Sequence, residues 1–246
     1  MTMPPNRTEV LHGEESLLPE LIRYLDSNPE DHELVDIYHP LLFVFKINPY
    51  KAALVNAQYR KTKARVDAAL AARDVDTYVF SHERPYRFEA LTRCVKKSLL
   101  TENDYWPMVA QVWINSNNIY QNLAGWKRLW SGKIPNREMA MNENERFCLA
   151  TMPNLIRVWR GMKFKKSVTG LAWTFSAERA EWFANRTLLG GRKKSFVASG
   201  LVAKGDVYAI FLGRRESEVV TERVNIETLR EVCPQEDSGL GSKSSF

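Results

Sequence analysis

Apolar residues in the first half of the chain recur at helical spacing. Leucine and isoleucine repeat every three or four positions over Glu14–Ser27, and small or apolar residues do so over Tyr50–Arg73. This spacing places apolar side chains on one face of a helix. Three further helical regions are predicted, one from about Asp31, one over residues 86–131 and one over Glu143–Leu149. Thr77–Phe80 fits either a strand or a buried turn. The pattern as a whole predicts a helical subdomain over residues 14–150.

The spacing changes in the second half, where apolar residues alternate with polar ones. Along Ile156–Arg160 every second residue faces the same side of a strand, so Arg160 and Trp159 lie on opposite faces. Gly161 is expected to end this strand. Ser176 is the predicted N-cap of a helix that begins at Ala177. Later or shorter strands are predicted at Trp173–Phe175, Ser195–Val202, Asp206–Leu212 and Glu216–Val220.

Helices therefore precede strands instead of alternating with them, which predicts an α+β fold. A parallel doubly wound sheet is disfavoured, because no G-x-G-x-x-G motif follows a predicted strand. The strand-rich core is assigned to residues 151–235. Residues 1–13 are predicted to form a flexible leader, and the Gly- and Ser-rich residues 236–246 are predicted to form a disordered tail.

Composition argues against several classes of protein. No apolar run approaches the roughly 18 residues that indicate a transmembrane helix, and residues 1–8 do not resemble a signal peptide. The three cysteines, Cys94, Cys148 and Cys233, are odd in number and far apart. This spacing predicts neither a disulfide framework nor a zinc site. No membrane association, no bound metal and a cytoplasmic location are therefore expected.

Positive charge is concentrated in one segment. The chain has a net charge of +6, but residues 146–200 alone contain eleven Lys or Arg and two Glu, a balance of 11 − 2 = +9. A segment of this kind is expected to face an anionic partner such as a pyrophosphate or a nucleic acid. A solvated basic rim without a partner is the alternative. The two densest clusters are Lys163, Lys165, Lys166 and Arg192, Lys193, Lys194.

The basic segment also contains the elements of a dinucleotide site. Arg160 offers a planar guanidinium that suits phosphate, and Gly161 allows backbone to approach a flat ligand closely. The whole stretch Ile156–Asn185 is predicted to run as strand, basic loop, short strand and amphipathic helix. Tryptophans in the helical half are expected to be core anchors.

Three motifs in this half together resemble a known family. They are Trp159-Arg160-Gly161, the strand-to-helix segment Leu171–Ser176, and Glu216-Ser217-Glu218-Val219-Val220. Their order is similar to the Arg, Ser-Thr-Ser, Glu-x-Glu pattern of mono-ADP-ribosyltransferases of the arginine-triad class. The resemblance covers residues 152–232 and extends to phage and bacterial toxin-like members with a helical front half.

The resemblance implies a split β-sandwich whose cleft holds NAD as co-substrate. Arg160 would contact a phosphate or ribose, the Gly161 backbone would pair with the carboxamide, and Thr174 would support the catalytic glutamate. The remaining aromatic positions implied at the NAD site are Trp173 and Phe183, although the helical spacing of Phe183 favours a core position. The family would imply a macromolecular acceptor, either protein arginine or nucleic acid. The helical front half could complete the cleft, bind the acceptor or bind an antitoxin-like protein, and its periodicity does not choose among these.

Two carboxylates suit this chemistry. Breaking the nicotinamide–ribose bond leaves an oxocarbenium-like ribose, which a carboxylate stabilises, and a second carboxylate can orient the incoming nucleophile. The resemblance assigns the first role to Glu218 and the second to Glu216. These two residues lie on one side of a strand because they are two positions apart. Ala172 and Trp173 depart from the first two positions of Ser-Thr-Ser.

Two alternative functions follow from the same residues. A nucleic-acid-binding module without catalysis would use the basic segment and its aromatic residues Trp159, Trp173, Phe175 and Trp182 for stacking on bases. An NAD glycohydrolase toxin would use water as acceptor. The two glutamates could also be ordinary solvent-facing residues of an edge strand.

Overall fold

The computed structural model describes residues 15–27, 34–116, 119–188, 194–213 and 217–233, without the side chains of residues 187 and 188. The predicted leader and tail lie outside these residues, as do Glu216, Arg192 and Lys193. Two compact units divide the chain, Met1–Ile119 and Tyr120–Phe246.

The described residues of the first unit contain a small antiparallel sheet and five α-helices. The sheet has the order β1-β2-β3. Its strands are β1 (Leu25–Ser27), β2 (Val35–His39) and β3 (Leu42–Ile47), and the helices are α1 (Pro19–Ile22), α2 (Ala53–Ala72), α3 (Val75–Phe80), α4 (Arg87–Lys96) and α5 (Glu102–Ile114). A 3-10 helix at Arg84–Tyr86 precedes α4.

The helix predicted from about Asp31 is wrong, because β2 and β3 form a hairpin in that region. Its apolar residues serve a sheet: Ile37 and Leu42 are buried together with Leu21 and Tyr59. The predicted helix over Glu14–Ser27 is also shorter than expected, since α1 begins at Pro19 and the chain becomes strand at Leu25. The long helix predicted over Tyr50–Arg73 is confirmed by α2.

Thr77–Phe80, for which the sequence predicts a strand or a buried turn, belongs instead to helix α3. The Asp74 carboxylate accepts a hydrogen bond from the Thr77 backbone N–H at 3.0 Å and caps the helix. This cap satisfies one of the backbone N–H groups that a helix start leaves without a partner.

The second unit contains a six-stranded antiparallel sheet with the order β7-β8-β5-β4-β6-β9. The strands are β4 (Leu155–Met162), β5 (Ala172–Thr174), β6 (Ser195–Ala203), β7 (Val207–Phe211), β8 (Glu218–Thr221) and β9 (Asn225–Val232). The helices are α6 (Leu123–Trp130), α7 (Glu143–Thr151) and α8 (Ala177–Leu188), with 3-10 helices at Arg137–Ala140, Lys165–Thr169 and Lys204–Asp206. The prediction of a mixed α+β chain is confirmed, with antiparallel sheets.

Helices α6 and α7 belong to the unit that holds the large sheet, whereas the prediction placed the boundary at residue 150. Their contacts explain the difference. The buried Glu145 side chain of α7 accepts a hydrogen bond from the Leu212 backbone N–H at 3.0 Å. The Trp130 ring of α6 stacks on the Tyr208 ring of β7, with 6.3 Å between the two ring centroids. These contacts make both helices part of the packing around β7.

Among the described residues, no helix has both the length and the apolar character needed to cross a membrane.

Candidate functional site

Six of the seven predicted site residues lie around one cavity in the second unit. The cavity has a volume of about 210 Å³. It is lined by Trp159, Arg160, Gly161, Ala172, Trp173, Thr174, Phe183 and Glu218. The seventh predicted residue, Glu216, lies outside the described residues.

The sheet brings three of these side chains into one row. Thr174 on β5 pairs with Trp159 on β4 and with Glu218 on β8. Residues paired directly across antiparallel strands point to the same face of the sheet. Glu218 and Thr174 are therefore neighbours although 44 positions separate them in the sequence.

β4 and β5 pair over a very short distance. Within the described residues their only register pair is Trp159 with Thr174, whereas β4 and β6 pair over eight residues, from Leu155 to Met162 on the β4 side. The two strands therefore separate next to Arg160 and Gly161. The cavity lies where the strands separate.

Arg160 spans this separation through its guanidinium. Its Nε donates a hydrogen bond to the Ser167 carbonyl at 3.0 Å, and its Nη1 donates to the Ala172 carbonyl. Burial lowers the pKa of Arg160 to about 10, and the negative charge of Glu218 opposes this effect. The guanidinium therefore remains protonated at neutral pH and carries a charge close to the Glu218 carboxylate.

Gly170 makes room for this guanidinium. A Cβ atom at Gly170 would clash with the Arg160 Nη2 and lie 2.6 Å from its Cζ. The Gly170 carbonyl also accepts a hydrogen bond from the Trp173 indole Nε1 at 3.0 Å. The loop between β4 and β5 is thus held by one arginine and one tryptophan.

The prediction that Gly161 ends the strand is wrong, since β4 continues to Met162. Gly161 also lies against α8. A Cβ atom at Gly161 would clash with the Ala180 carbonyl oxygen and lie 2.7 Å from the Ala184 nitrogen. The absence of a side chain therefore allows α8 to pack directly on β4, and this contact also positions Phe183 at the cavity.

The start of α8 follows the predicted pattern. The Ser176 hydroxyl accepts a hydrogen bond from the Arg179 backbone N–H at 3.0 Å, which confirms the N-cap. The Thr174 hydroxyl accepts one from the Ser176 backbone N–H at 3.2 Å. Thr174 is 4% exposed, so its hydroxyl is fixed by the turn into the helix as well as by the sheet.

The backbone just before Glu218 has an unusual conformation. Ser217 has a φ of 44°, in the left-handed region that favours glycine. Its carbonyl accepts a hydrogen bond from the Phe175 backbone N–H at 3.1 Å. This contact links Ser217, the residue before Glu218, to the end of β5, so the position of the carboxylate depends on the same segment that contains Thr174.

The two predicted aromatic site residues differ in exposure. Trp173 is 4% exposed, and its indole is held by Gly170. Phe183 is half-buried, and its ring meets Trp182 edge-on at 5.1 Å. Trp173 therefore contributes a fixed wall to the cavity, while part of the Phe183 ring remains accessible.

One residue near the site had no signal in the sequence. Tyr120 is 49% exposed and lies close enough to Arg160 to raise the pKa of that guanidinium slightly against the effect of burial. Its distance of forty residues along the chain from Arg160, with no motif around it, explains why sequence patterns did not identify it.

No protein-family model, no curated protein and no solved structure matches this chain.

Proposed function

We propose that the protein is an NAD-dependent mono-ADP-ribosyltransferase with an ADP-ribosyltransferase-like split β-sandwich in its second unit. The observation that carries this proposal is the cross-strand pair of Thr174 and Glu218, in a cavity that Arg160 also lines. A carboxylate, a hydroxyl and a guanidinium at one cleft are the groups that the arginine-triad pattern requires. The sequence order of these residues supports the same function.

The negative charge of Glu218 suits a reaction that develops positive charge on a ribose. Glu218 would stabilise the positive charge that develops on the ribose as the C1′–N bond of NAD breaks. The bonding electrons leave with nicotinamide, and C1′ forms a bond to a nucleophilic atom of the acceptor. The acceptor proton is released, so that NAD⁺ and acceptor–H yield ADP-ribosyl-acceptor, nicotinamide and H⁺.

The size of the cavity limits which part of NAD it accepts. Ligand pockets commonly have volumes of roughly 300–1,000 Å³, and this cavity has about 210 Å³. It therefore suits the nicotinamide–ribose end, with the rest of the dinucleotide outside. Phe183 offers an aromatic wall for the nicotinamide ring.

Arg160 is expected to organise the cleft before it contacts NAD. An arginine carries five N–H donors, and the two described hydrogen bonds of Arg160 use Nε and one hydrogen of Nη1. A ribose or phosphate oxygen could be bound by the Nη atoms. A bidentate contact that includes Nε would require the Ser167 hydrogen bond to break.

The experiment uses the purified full-length chain, NAD labelled in its adenylate part, and a cell lysate as the source of acceptors. The wild type should transfer label to macromolecules, and Glu218→Gln should lower the rate by about 100-fold or more, as expected for loss of a charge that stabilises a transition state. Glu143→Gln, an exposed glutamate at the start of α7, is the matched control and should keep wild-type activity.

The products decide between related functions. Label on a macromolecule that depends on Glu218 supports transfer. Free ADP-ribose without any labelled macromolecule would instead identify an NAD glycohydrolase. Equal labelling by the wild type and Glu218→Gln, or no consumption of NAD at all, contradicts the proposal.

A further inference from the structure

An exposed tryptophan beside the cavity is stacked with arginines. Trp182 on α8 is 44% exposed and adjoins Phe183, which lines the cavity. The Cζ of Arg179 lies 4.1 Å from the centroid of its ring, and the Cζ of Arg186 lies 5.5 Å away. Such contacts keep the flat guanidinium groups next to an aromatic surface. α8 therefore presents planar groups and positive charge together.

A second exposed ring has the same surroundings. Phe164 is 41% exposed and lies three positions after Gly161, another residue of the cavity wall. The Nζ of Lys163 lies 5.5 Å from its ring centroid, and the Nζ of Lys166 lies 5.9 Å away. The loop that Arg160 holds through Ser167 thus begins with a ring flanked by cations.

In the part of the chain that the structure describes, no carboxylate forms an ion pair with Lys163, Lys165 or Lys166. Other cations of the same unit do have such partners: Lys194 pairs with Glu231 at 2.8 Å, and Arg230 pairs with Glu181. The three lysines of the loop are exposed and keep their charge available for an anion.

We propose that Trp182 and Phe164, each with its flanking cations, together bind single-stranded nucleic acid. Unstacked bases pack on aromatic rings and on guanidinium planes, and lysines neutralise the phosphates between them. An acidic peptide would need the charges but not two exposed rings. A duplex hides the faces of its bases, so it could use only the charges.

Two other aromatic residues that the sequence suggested for base stacking are unsuitable. Trp173 is buried and bonded to Gly170. Trp159 is half-buried and packs against Ala180 and Ala184 of α8. Trp182, which the sequence pattern included, and Phe164, which it did not, are exposed.

On the basis of the proposed transferase function, we assign the bound strand as the acceptor of ADP-ribose. A nucleophilic nitrogen or oxygen of the nucleic acid would bond to C1′ of the NAD ribose as the C1′–N bond breaks and nicotinamide leaves. The nucleophile loses one proton to solvent. Trp182 is next to Phe183 in α8, and Phe164 lies three positions after Gly161. Because Phe183 and Gly161 line the cavity, a strand bound by both rings would lie near the reacting ribose.

Binding is measured first, without NAD, on the full-length chain. Two fluorescent single strands of 20 nucleotides and mixed sequence serve as probes, one of RNA and one of DNA. Binding is measured by fluorescence anisotropy at several salt concentrations. Trp182→Ala should weaken binding by about 5- to 100-fold, the range expected for loss of one base stack. Trp182→Phe, which keeps a ring, should restore most of the affinity. Lys165→Ala should lower the slope of log affinity against log salt by about 0.7.

Matched controls stand elsewhere in the same unit. Phe147 is 72% exposed on α7, and Phe147→Ala should bind as the wild type does. Lys133 is also exposed, and Lys133→Ala should leave the salt slope unchanged. If the two control variants weaken binding as much as Trp182→Ala and Lys165→Ala do, the surface is not specific and the proposal is overturned.

Competitors test the class of partner. A duplex of the same sequence, or poly-glutamate at equal charge, should compete much less well than the single strand. Equal competition by either one would mean that charge alone is recognised, which overturns the proposal.

A second readout separates this inference from the proposed function. If the strand becomes labelled from NAD, both hold. NAD turnover without binding of the strand would overturn the proposed nucleic-acid binding but would be consistent with the proposed enzyme activity. Binding through Trp182 without any NAD turnover would support the surface and contradict the enzyme, and with it the role of the strand as acceptor.

Discussion

Thr174 and Glu218 face each other across β5 and β8, and the hydroxyl of Thr174 also accepts a hydrogen bond from Ser176. One buried side chain thus connects the candidate catalytic strand to the start of α8. Its hydroxyl has a structural role at the turn into α8, and the residue is paired with Glu218 across the strands, so substitutions can separate a structural from a catalytic effect.

Thr174→Val keeps the shape of the side chain and removes the hydroxyl. We expect a loss of about 1 kcal/mol in the free energy of unfolding, because the Ser176 N–H loses its acceptor. If the hydroxyl also orients Glu218, kcat for NAD cleavage should fall by about tenfold or more. Thr174→Ser should retain activity. Urea unfolding and NAD turnover measure the two effects, and unchanged kcat in Thr174→Val would remove Thr174 from the reaction.

A variant of Glu216 tests whether the carboxylates of Glu216 and Glu218 have different roles. Because the arginine-triad pattern assigns it to the incoming nucleophile, Glu216→Ala should reduce transfer to a macromolecule more than hydrolysis of NAD. Both rates are obtained from one assay that counts labelled acceptor and free ADP-ribose. Equal losses in the two rates would refute the division of roles.

Gly170 tests whether Arg160 must lie where it does. Gly170→Ala would push a methyl group into the guanidinium and displace it from the Ser167 and Ala172 carbonyls. We expect a destabilisation of about 1–3 kcal/mol and a raised KM for NAD. Gly205→Ala is the matched control, because no atom lies within 4 Å of a Cβ there. Similar behaviour of the two variants in thermal unfolding and kinetics would show that the guanidinium is not constrained.

Stability of the first unit should depend on pH through His39. This residue is 7% exposed between the rings of Tyr24 and Tyr59, and burial lowers its pKa from 6.5 to about 4, with Arg23 and His82 adding to the effect and Glu20 opposing it. The unfolded chain therefore binds a proton below pH 6.5 that the folded chain does not bind until about pH 4. The free energy of unfolding therefore has its full value above pH 6.5, and it falls by up to about 3 kcal/mol as the pH is lowered from 6.5 to 4.

His39→Asn should remove most of this dependence. Its amide oxygen can replace the Nδ1 atom that accepts a hydrogen bond from the Leu41 N–H at 3.0 Å. Hydrogen exchange of the Ile37 and Leu42 amides, measured at pH 7.5 and 4.5, reports on this sheet. A variant with the same pH dependence as the wild type would assign the effect to other groups, of which His82, also with a lowered pKa, is the first to examine.

Elements with strong local patterns were predictable. The alanine-rich α2 and the cap of α8 at Ser176 follow from spacing and from N-cap chemistry. The β2–β3 hairpin was mistaken for a helix because short apolar runs fit both periods. β9 was missed because most of its side chains are exposed, so that it lacks alternation and is defined by its pairing with β6.

The members of the site could be predicted, but not the way in which they meet. Arg160, Thr174 and Glu218 were identified by motif, while the strand order that places β5 between β8 and β4 is set by long-range pairing. The hydrogen bonds of Arg160 to Ser167 and Ala172 depend on a loop with no repeating pattern. The role of Gly161 under α8 required the helix to be placed first.

The single register pair between β4 and β5 has a mechanical consequence. It divides the sheet into two three-stranded halves, β7-β8-β5 and β4-β6-β9, with little backbone hydrogen bonding to hold them at a set separation. Arg160 belongs to β4 in one half, and its Nη1 donates a hydrogen bond to the Ala172 carbonyl in the other half. The side chain therefore links the two halves. Arg160 therefore helps to set the width of the gap, together with α8, which follows β5 and packs on β4. We expect a shorter side chain at Arg160 to change this width without unfolding either half.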